Sequence, residues 1–368
     1  MRVGYDVSPL LNPLTGVGHY TLNLLEGLAA IDPEMEFRLL ALTLGNDTSK
    51  VPLSLQAALK HVRVPARYAV TAWEVLGAPA VQRLTGPIDL FHGTNFWVPP
   101  NSSGRSVVTI HDMTFWLYPE MCTPHVQRYR WLVPRFLKRC AMVITPSRTV
   151  GDQVAAELGF PSDRVVVTPE GVRGSFVDAR PDKRVLDRLG IDGAYVLFAG
   201  TQEPRKNLDR LITALSLVKE DVKLVIAGPP GWGSTDLQAL VRKLKIDGRV
   251  VFSGYLPDPE LGALMAGALA FVYPSIYEGF GLPPLEAMAA GIPVVASRTG
   301  SLIEILGEAP FWCDPLETDS IADAIRRAVI DEAGRERAMR LGAAQASLYT
   351  WAETARLTRL AYLDVAGD

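Results

Sequence analysis

The sequence predicts an α/β protein built from two doubly wound domains, and three observations carry this. Short β-rich runs alternate with helical patterns almost throughout, the mark of parallel sheets covered by helices on both faces. The chain has 368 residues, 48% of them hydrophobic; at roughly 100–200 residues per domain that suffices for two separate cores. The alternation also restarts after a polar, charged stretch at 178–192, read as a linker. The domains are therefore expected over 1–177 and 193–349.

In the first half, strands are expected at 2–7, 37–44, 62–64, 90–93, 107–111, 142–145 and 165–168, with helical spacing at 19–30 and 147–158. In the second half they are expected at 195–199, 223–227, 250–252, 270–272, 293–296 and 311–313. Helical patterns at 207–219, 235–244, 260–267, 284–290 and 320–330 separate these. Thr350-Trp-Ala-Glu353 reads as a capping box opening a last helix over 350–368. In doubly wound sheets a ligand sits outside the carboxyl ends of the strands, here expected in the cleft between the domains.

Composition excludes several partners. Lys and Arg total 37 against 40 Asp and Glu, a formal charge of −3, so no global basic field exists to hold a nucleic acid. Cys122, Cys140 and Cys313 lie far apart without C-x-x-C spacing, which speaks against a disulfide framework or zinc knuckle and for a reducing compartment. Asp6 falls where the apolar core of a signal peptide would begin. The most apolar stretch, 261–274, contains two glycines and ends at Pro274; it is too short to span a bilayer. A cytoplasmic protein is expected. The sequence is silent on oligomeric state.

Four strings carry chemistry. Glu278-Gly-Phe-Gly-Leu-Pro-Pro-Leu-Glu286 follows a buried strand. Its glycines, Gly279 and Gly281, allow close backbone approach, and Pro284 suits the first turn of a helix whose amides attract phosphate. Acidic residues beside an anion site make sense where they bind hydroxyls, as a sugar or ribose supplies; the alternative leaves Glu286 complementing the helix dipole and Glu278 solvated. Gly200-Thr-Gln-Glu-Pro-Arg-Lys-Asn207 places Arg205 and Lys206 at an expected helix start. There they oppose the dipole unless they face a pyrophosphate. The order of a P-loop is absent.

Thr15-Gly-Val-Gly-His-Tyr20 lies between the first strand and first helix and offers Gly16 and Gly18 to a ligand. It does not complete G-x-G-x-x-G, because Thr21 replaces the last glycine. Val107-Val-Thr-Ile-His111-Asp112 ends a buried strand in an ionisable pair. His111 there either binds a sugar hydroxyl and supports developing positive charge, or makes a structural hydrogen bond. His92-Gly-Thr-Asn95 repeats the same argument more weakly. Finally, Arg128-Tyr-Arg-Trp-Leu-Val-Pro-Arg-Phe-Leu-Lys-Arg139 is basic and aromatic. It could rest on an anionic membrane, although Pro134 interrupts it and Tyr129, Leu132 and Phe136 form a core-like stripe that favours plain packing.

The E-x₇-E spacing of Glu278 and Glu286, the 200–207 turn and Thr-Ile-His-Asp together resemble a retaining glycosyltransferase of family 4 with the GT-B fold. The resemblance covers essentially the whole chain and is nearest the bacterial mannosyltransferase branch that builds surface polysaccharides. It implies two Rossmann-like domains facing across a cleft, with a C-terminal helix that crosses back to complete the first. The first domain would bind the acceptor and the second a nucleotide-sugar donor, with GDP-mannose the donor of that branch. Saccharide or lipid-linked acceptors are implied, with peripheral membrane contact possible through such an acceptor.

By position, Arg205 and Lys206 would bind the donor diphosphate and stabilise its leaving charge. Glu278 would bind donor-sugar hydroxyls, helped by amides around Gly279, Phe280, Gly281 and Leu282. Glu286 would hold the ribose, His111 would lie beside the transferred sugar, and Gly16 and Gly18 would line the phosphate–acceptor boundary. Thr201 stands in the phosphate turn where many relatives carry Arg or Lys. No Asp-x-Asp tripeptide occurs, so neither a metal nor a separate cofactor is expected. Rival readings are a UDP- or ADP-sugar donor, a sugar-nucleotide epimerase and a non-catalytic nucleotide-sugar-binding module. An NAD-dependent oxidoreductase would need the missing glycine fingerprint.

Overall fold

Among the described residues, thirteen short strands form two all-parallel sheets in the computed structural model. The structure describes residues 1–368 except Asn12, Pro13, Asn46, Asp178, Ser234 and Asp368, and except the side chains of Ala66 and Arg67. The chain divides into two units, one of Met1–Gly171 with Thr350–Asp368 and one of Val172–Tyr349.

The strands of the first unit are β1 (Arg2–Asp6), β2 (Glu36–Leu42), β3 (Leu59–Val62), β4 (Leu90–Gly93), β5 (Ser106–Thr109), β6 (Met142–Thr145) and β7 (Val165–Val167). They lie in the order β3-β2-β1-β4-β5-β6-β7. The second unit has β8 (Tyr195–Ala199), β9 (Lys223–Ala227), β10 (Val250–Gly254), β11 (Ala270–Tyr273), β12 (Val294–Ser297) and β13 (Phe311–Cys313), ordered β10-β9-β8-β11-β12-β13. In each sheet the strand order reverses next to the unit's first strand, between β1 and β4 and between β8 and β11. Such switch points open a crevice beyond the carboxyl ends of the strands.

Central strands are buried on both faces, as parallel sheets require; all five residues of β8 are inaccessible. Edge strand β3 is only half-buried along its length. It pairs from Leu59 opposite Leu39 to Val62 opposite Leu42, earlier than the 62–64 the sequence suggested. No apolar run marks such a strand, and Pro65 cannot extend it.

The segment read as a linker folds instead with the second unit. Asp178, its first residue, lies outside the described residues. Asp182 caps a helix at Lys183–Arg188, and Arg188 pairs with Glu260 at 2.5 Å. Val185 and Ile191 are buried in the second core, with Leu186 and Leu189 packed against it. The surrounding charges hid this apolar pattern.

The C-terminal helix, Trp351–Gly367, packs on the helix Gly16–Ile31 within the first unit. A Cβ at Gly27 would stand 2.9 Å from the Ala355 Cβ and 3.2 Å from the Trp351 carbonyl oxygen, so glycine sets the approach of the two helices. Half of the capping box forms: Thr350 Oγ1 accepts the Glu353 N–H at 3.2 Å, while the Glu353 carboxylate turns to Arg356. Among the described residues no helix is long and apolar enough to cross a membrane. The three cysteines are buried thiols.

Candidate functional site

The switch point of the second unit gathers a cluster of four charged side chains, Glu203, Arg205, Lys206 and Glu278. After β8 the chain turns through Gly200, Thr201, Gln202 and Glu203 into a short 3₁₀ turn, Pro204–Lys206. Asn207 follows in the left-handed region (φ 62°), and only then does the helix Leu208–Leu217 begin. Arg205 and Lys206 therefore occupy a separate turn ahead of the helix, not its first residues. Asn207 fixes that turn by donating from Nδ2 to the carbonyls of Pro274 (3.0 Å) and Pro315 (2.7 Å).

Glu278 lies against both cations. Its Oε2 accepts from Arg205 at 2.6 Å and its Oε1 from Lys206 at 2.7 Å. Arg205 also pairs with Glu203 at 2.6 Å, and Lys206 Nζ donates to the Tyr273 hydroxyl with its charge 4.7 Å from that ring's centroid. Burial alone would raise the Glu278 carboxyl pKa, but Arg205 and then Lys206 outweigh it and hold the group down at about 2. Burial, reinforced by Arg205, pulls the Lys206 ammonium below its ordinary value against the attraction of Glu278 and Glu203. Two cations and two carboxylates leave this cluster neutral, and carboxylate contacts hold the cations in place.

Past Glu278 the chain runs through Gly279 and Phe280 to Gly281 (φ +100°), which precedes the helix Leu282–Ala289. A Cβ at Gly281 would meet Leu302 at 2.4 Å, so only glycine fits this turn. Pro283 and Pro284 fall in the first turn of the helix, where their missing N–H groups cost nothing. The Phe280 ring is buried edge-on to Tyr349, which leaves its backbone as the part a ligand could use. Ser301 donates to the Glu278 carbonyl at 2.5 Å and fixes the loop from behind.

Glu286 sits on that helix, 1% exposed, and does not join the cluster. Both its oxygens accept from Arg173, at 2.5 and 2.9 Å, and the same guanidinium reaches both Asp258 oxygens at 2.8 Å. Arg173 also stacks on Phe176, 4.6 Å from the ring centroid. A carboxylate has about four acceptor positions, and the Arg173 fork takes two of those on Glu286.

In the first unit the helix begins at Gly16, so Gly16 and Gly18 form its first turn rather than a preceding loop. Gly16 is exposed with open space around it. Gly18 is buried, and a Cβ there would stand 2.9 Å from the Leu14 side chain. His111 lies two residues beyond the end of β5. Its Nε2 donates to the Thr94 carbonyl at 2.8 Å, which places a proton on that nitrogen. Nδ1 faces Glu170 Oε1 at 3.7 Å, and the Tyr20 ring packs edge-on at 4.8 Å. His92, in contrast, is wholly buried between the Tyr362 hydroxyl (2.5 Å) and Thr109 (2.8 Å). Burial, with a contribution from His111, pulls its pKa down to about 3, which makes it a neutral structural hydrogen-bonder.

At the β1–β4 switch point stands Asp6, which the sequence did not mark as a site residue. It is wholly buried; Oδ1 accepts the Ser8 N–H at 3.0 Å, and Oδ2 has no hydrogen-bond partner among the described residues. Thr94, which holds His111 through its carbonyl, donates its hydroxyl to the Asp6 carbonyl at 3.0 Å. Burial pushes the Asp6 carboxyl up to about 6, with Ser8 hydrogen bonds pulling back. A carboxyl raised in the folded state contributes stability that is fully present below the unfolded pKa and is lost as pH rises through about 6. Between pH 4.5 and 8 the parent should therefore lose about 2 kcal/mol more stability than Asp6→Asn. Urea unfolding of both proteins at the two pH values checks this, and identical slopes would exclude a buried titrating Asp6.

The sequence strings thus place Arg205, Lys206 and Glu278 in one hydrogen-bonded network, with Gly279, Phe280, Gly281 and Leu282 following directly on Glu278. Thr201 lies in the same turn as the cations, while Glu286 stands apart with Arg173. Gly16, Gly18 and His111 belong to the first unit. Missed were Arg173 and Asp258, whose contact joins residues 85 apart in the chain, and Glu203 and Asp6, single carboxylates that no local pattern marks. Among the described residues, no group of three or more His, Cys, Asp or Glu side chains is arranged to hold a metal ion.

Comparison with known proteins agrees in both halves of the chain. The family model for Glycosyltransferase Family 4 matches residues 14–174, and that for Glycosyl transferases group 1 matches residues 185–346. The chain is 32% identical to O-antigen chain mannosyltransferase B of Escherichia coli over 98% of its own length and 99% of the relative's. Among solved structures it resembles sucrose-phosphate synthase from Thermosynechococcus elongatus (TM-score 0.78, 20% identity) and Anabaena HepE in complex with UDP and glucose (TM-score 0.71, 20% identity). Each of these two matches covers 100% of both chains. At that identity the structures speak for the fold.

Proposed function

The chain belongs to the family 4 glycosyltransferases of GT-B fold, and from that premise we propose that it is a retaining, metal-independent mannosyltransferase. Its donor is GDP-mannose, and its acceptor is a saccharide or lipid-linked saccharide in surface polysaccharide synthesis. The observation that carries the reading is the Arg205–Lys206–Glu278 network at the β8–β11 switch point. The name of the Escherichia coli relative supports mannose and O-antigen synthesis.

In this mechanism Arg205 and Lys206 bind the donor diphosphate, exchanging part of their contact with Glu203 and Glu278 for phosphate oxygens. Their two positive charges stabilise the leaving group in place of a metal ion. Glu278, partly released, accepts hydroxyls of the donor sugar, Glu286 holds the ribose, and His111 acts on the sugar being transferred. The bond from the anomeric carbon to the phosphate oxygen breaks with its electron pair going to phosphate. The acceptor hydroxyl bonds to the same face of that carbon, and its proton passes to the departing phosphate oxygen. No enzyme carboxylate is required as nucleophile, unlike a retaining glycosidase; catalysis rests on positioning and charge.

A panel of sugar nucleotides tests the donor. GDP-mannose should be consumed, and GDP should bind more tightly than UDP, ADP or NAD. Preferential turnover of a UDP-sugar would replace the donor by the kind of nucleotide held by the structural neighbour HepE. Tightest binding of NAD without sugar transfer would reject the proposal altogether.

A further inference from the structure

We infer that Glu170 is a sugar-binding residue that works side by side with His111, the two presenting paired acceptors to two neighbouring hydroxyls of the transferred hexose. The inference rests on the reading above, in which His111 acts on that sugar, and adds to it a residue and a selectivity. His111 donates from Nε2 to the Thr94 carbonyl, so Nδ1 of the neutral ring carries a lone pair. That nitrogen faces Glu170 Oε1 at 3.7 Å. The separation is longer than a hydrogen bond, and a neutral imidazole and a carboxylate have no proton to share across it. Two acceptors thus stand together, and neither can satisfy the other. Both side chains are 10% exposed, buried enough that an unmet acceptor is costly and open enough for a small polar group to arrive. Among the described residues no Arg or Lys forms an ion pair with Glu170. A buried carboxylate without a cation calls for hydrogen-bond donors.

Packing keeps both side chains from turning away. The His111 ring lies edge-on to Tyr20 at 4.8 Å and to Phe96 at 5.8 Å. Phe96 itself takes a φ of 65°, which a bulky residue adopts only where its surroundings impose it. Glu170 is pinned through its neighbours to the start of the C-terminal helix. The Pro169 carbonyl accepts from Thr354 Oγ1 at 2.6 Å, and a Cβ at Gly171 would collide with the Trp351 backbone nitrogen. Trp351 in turn lies edge-on to Tyr20 at 6.2 Å. The helix Trp351–Gly367 therefore backs both members of the pair.

A hydroxyl has one proton to donate, so a single hydroxyl cannot serve both acceptors. Neighbouring hydroxyls on a pyranose ring lie side by side and can, one donating to Nδ1 and the other to Oε1. A phosphate group would be repelled by the carboxylate. Of the groups that a sugar nucleotide offers, a vicinal diol is the one that matches.

Kinetics with GDP-mannose and its monodeoxy analogues test this. In the parent, removing either hydroxyl of one neighbouring pair should lower kcat/KM by more than about 10-fold, the loss expected when a buried charged or polar acceptor goes unmet. Glu170→Gln removes the anion and supplies an amide that can donate to Nδ1; it should lower kcat/KM for GDP-mannose by about 10–100-fold. In that variant one analogue of the pair should differ from GDP-mannose by less than about threefold, since the interaction it lacks is already gone. Unchanged thermal unfolding will show that the variant is folded. Parental turnover by Glu170→Gln, or a loss that leaves the parent's pattern of deoxy discrimination intact, would overturn the inference. If the parent consumes another hexose donor, the same series built on that sugar applies, so the GDP-mannose assignment can fail alone. Histidine ring-nitrogen resonances of the free protein give a check without any donor. Protons on both ring nitrogens of His111 at about pH 8 would overturn the pairing, because Nδ1 would then donate to Glu170.

Discussion

Lys206→Met will reduce donor turnover, measured as kcat/KM, by about 10²–10³-fold, the loss that follows removal of one pre-positioned charge stabiliser. Methionine keeps an unbranched apolar side chain of similar length and deletes the ammonium, which lies 2.7 Å from Glu278 and 4.7 Å from the centroid of the Tyr273 ring. Glu278 remains paired with Arg205 at 2.6 Å, so the carboxylate is not left alone in the interior. The effect should therefore fall mainly on rate and donor affinity, with the protein still folded. Lys206→Arg should recover little, because the site is closed around a compact ammonium and the guanidinium fork is larger. Steady-state kinetics alongside thermal unfolding separates the two contributions. A change of less than about threefold in turnover would remove Lys206 from any role at the diphosphate.

Arg173→Met should have the largest effect on stability. Arg173 is the shared partner of Asp258 and of Glu286, whose side chain is only 2% exposed. Breaking a buried pair from one side costs about 3–5 kcal/mol, because the remaining charge stays buried without compensation. For a unit of this size, roughly 2–4 °C is lost per kcal/mol, so Tm should fall by about 10 °C. Arg173→Lys should restore part of this and not all, since an ammonium cannot reproduce the two-pronged contact to Glu286. Donor KM should also rise, because the same contact sets the position of the carboxylate proposed for the ribose. A Tm shift under about 2 °C would mean that Glu286 is held by other contacts.

These two residues also show what was readable in the sequence. Arg205, Lys206 and Glu278 stand in two short strings, each directly after a strand, and local pattern suffices for such residues. The Arg173–Glu286 contact joins residues 113 apart in the chain; nothing local marks it. Asp6 was read for what it excludes, an apolar leader, because a single carboxylate at the end of a strand has no recognisable spacing. Strands such as β8 and β6 are legible because a strand buried on both faces is a continuous apolar run. The half-exposed edge strand β3 offers no such run. Gly16 and Gly18 were assigned to a turn because glycine is a poor helix former. Packing of that helix against Trp351–Gly367 overrides the preference and starts it three residues early. The charged stretch around Val185 and Ile191 was mistaken for a linker, since four apolar residues are easily lost among its Asp, Arg and Lys side chains.

The neutral cluster of Glu203, Arg205, Lys206 and Glu278 gives the account its physical centre. Two adjoining cations, one buried and one half-buried, would be costly to hold together alone; two carboxylates make the arrangement stable until a diphosphate arrives. The most direct test is a proton NMR time course of GDP-α-mannose with a mannose-terminated acceptor. The account predicts that the donor is consumed, GDP is released and the new linkage keeps the α configuration. A β-linked product would contradict retention, and an undiminished donor signal would contradict the assignment of this site to mannosyl transfer.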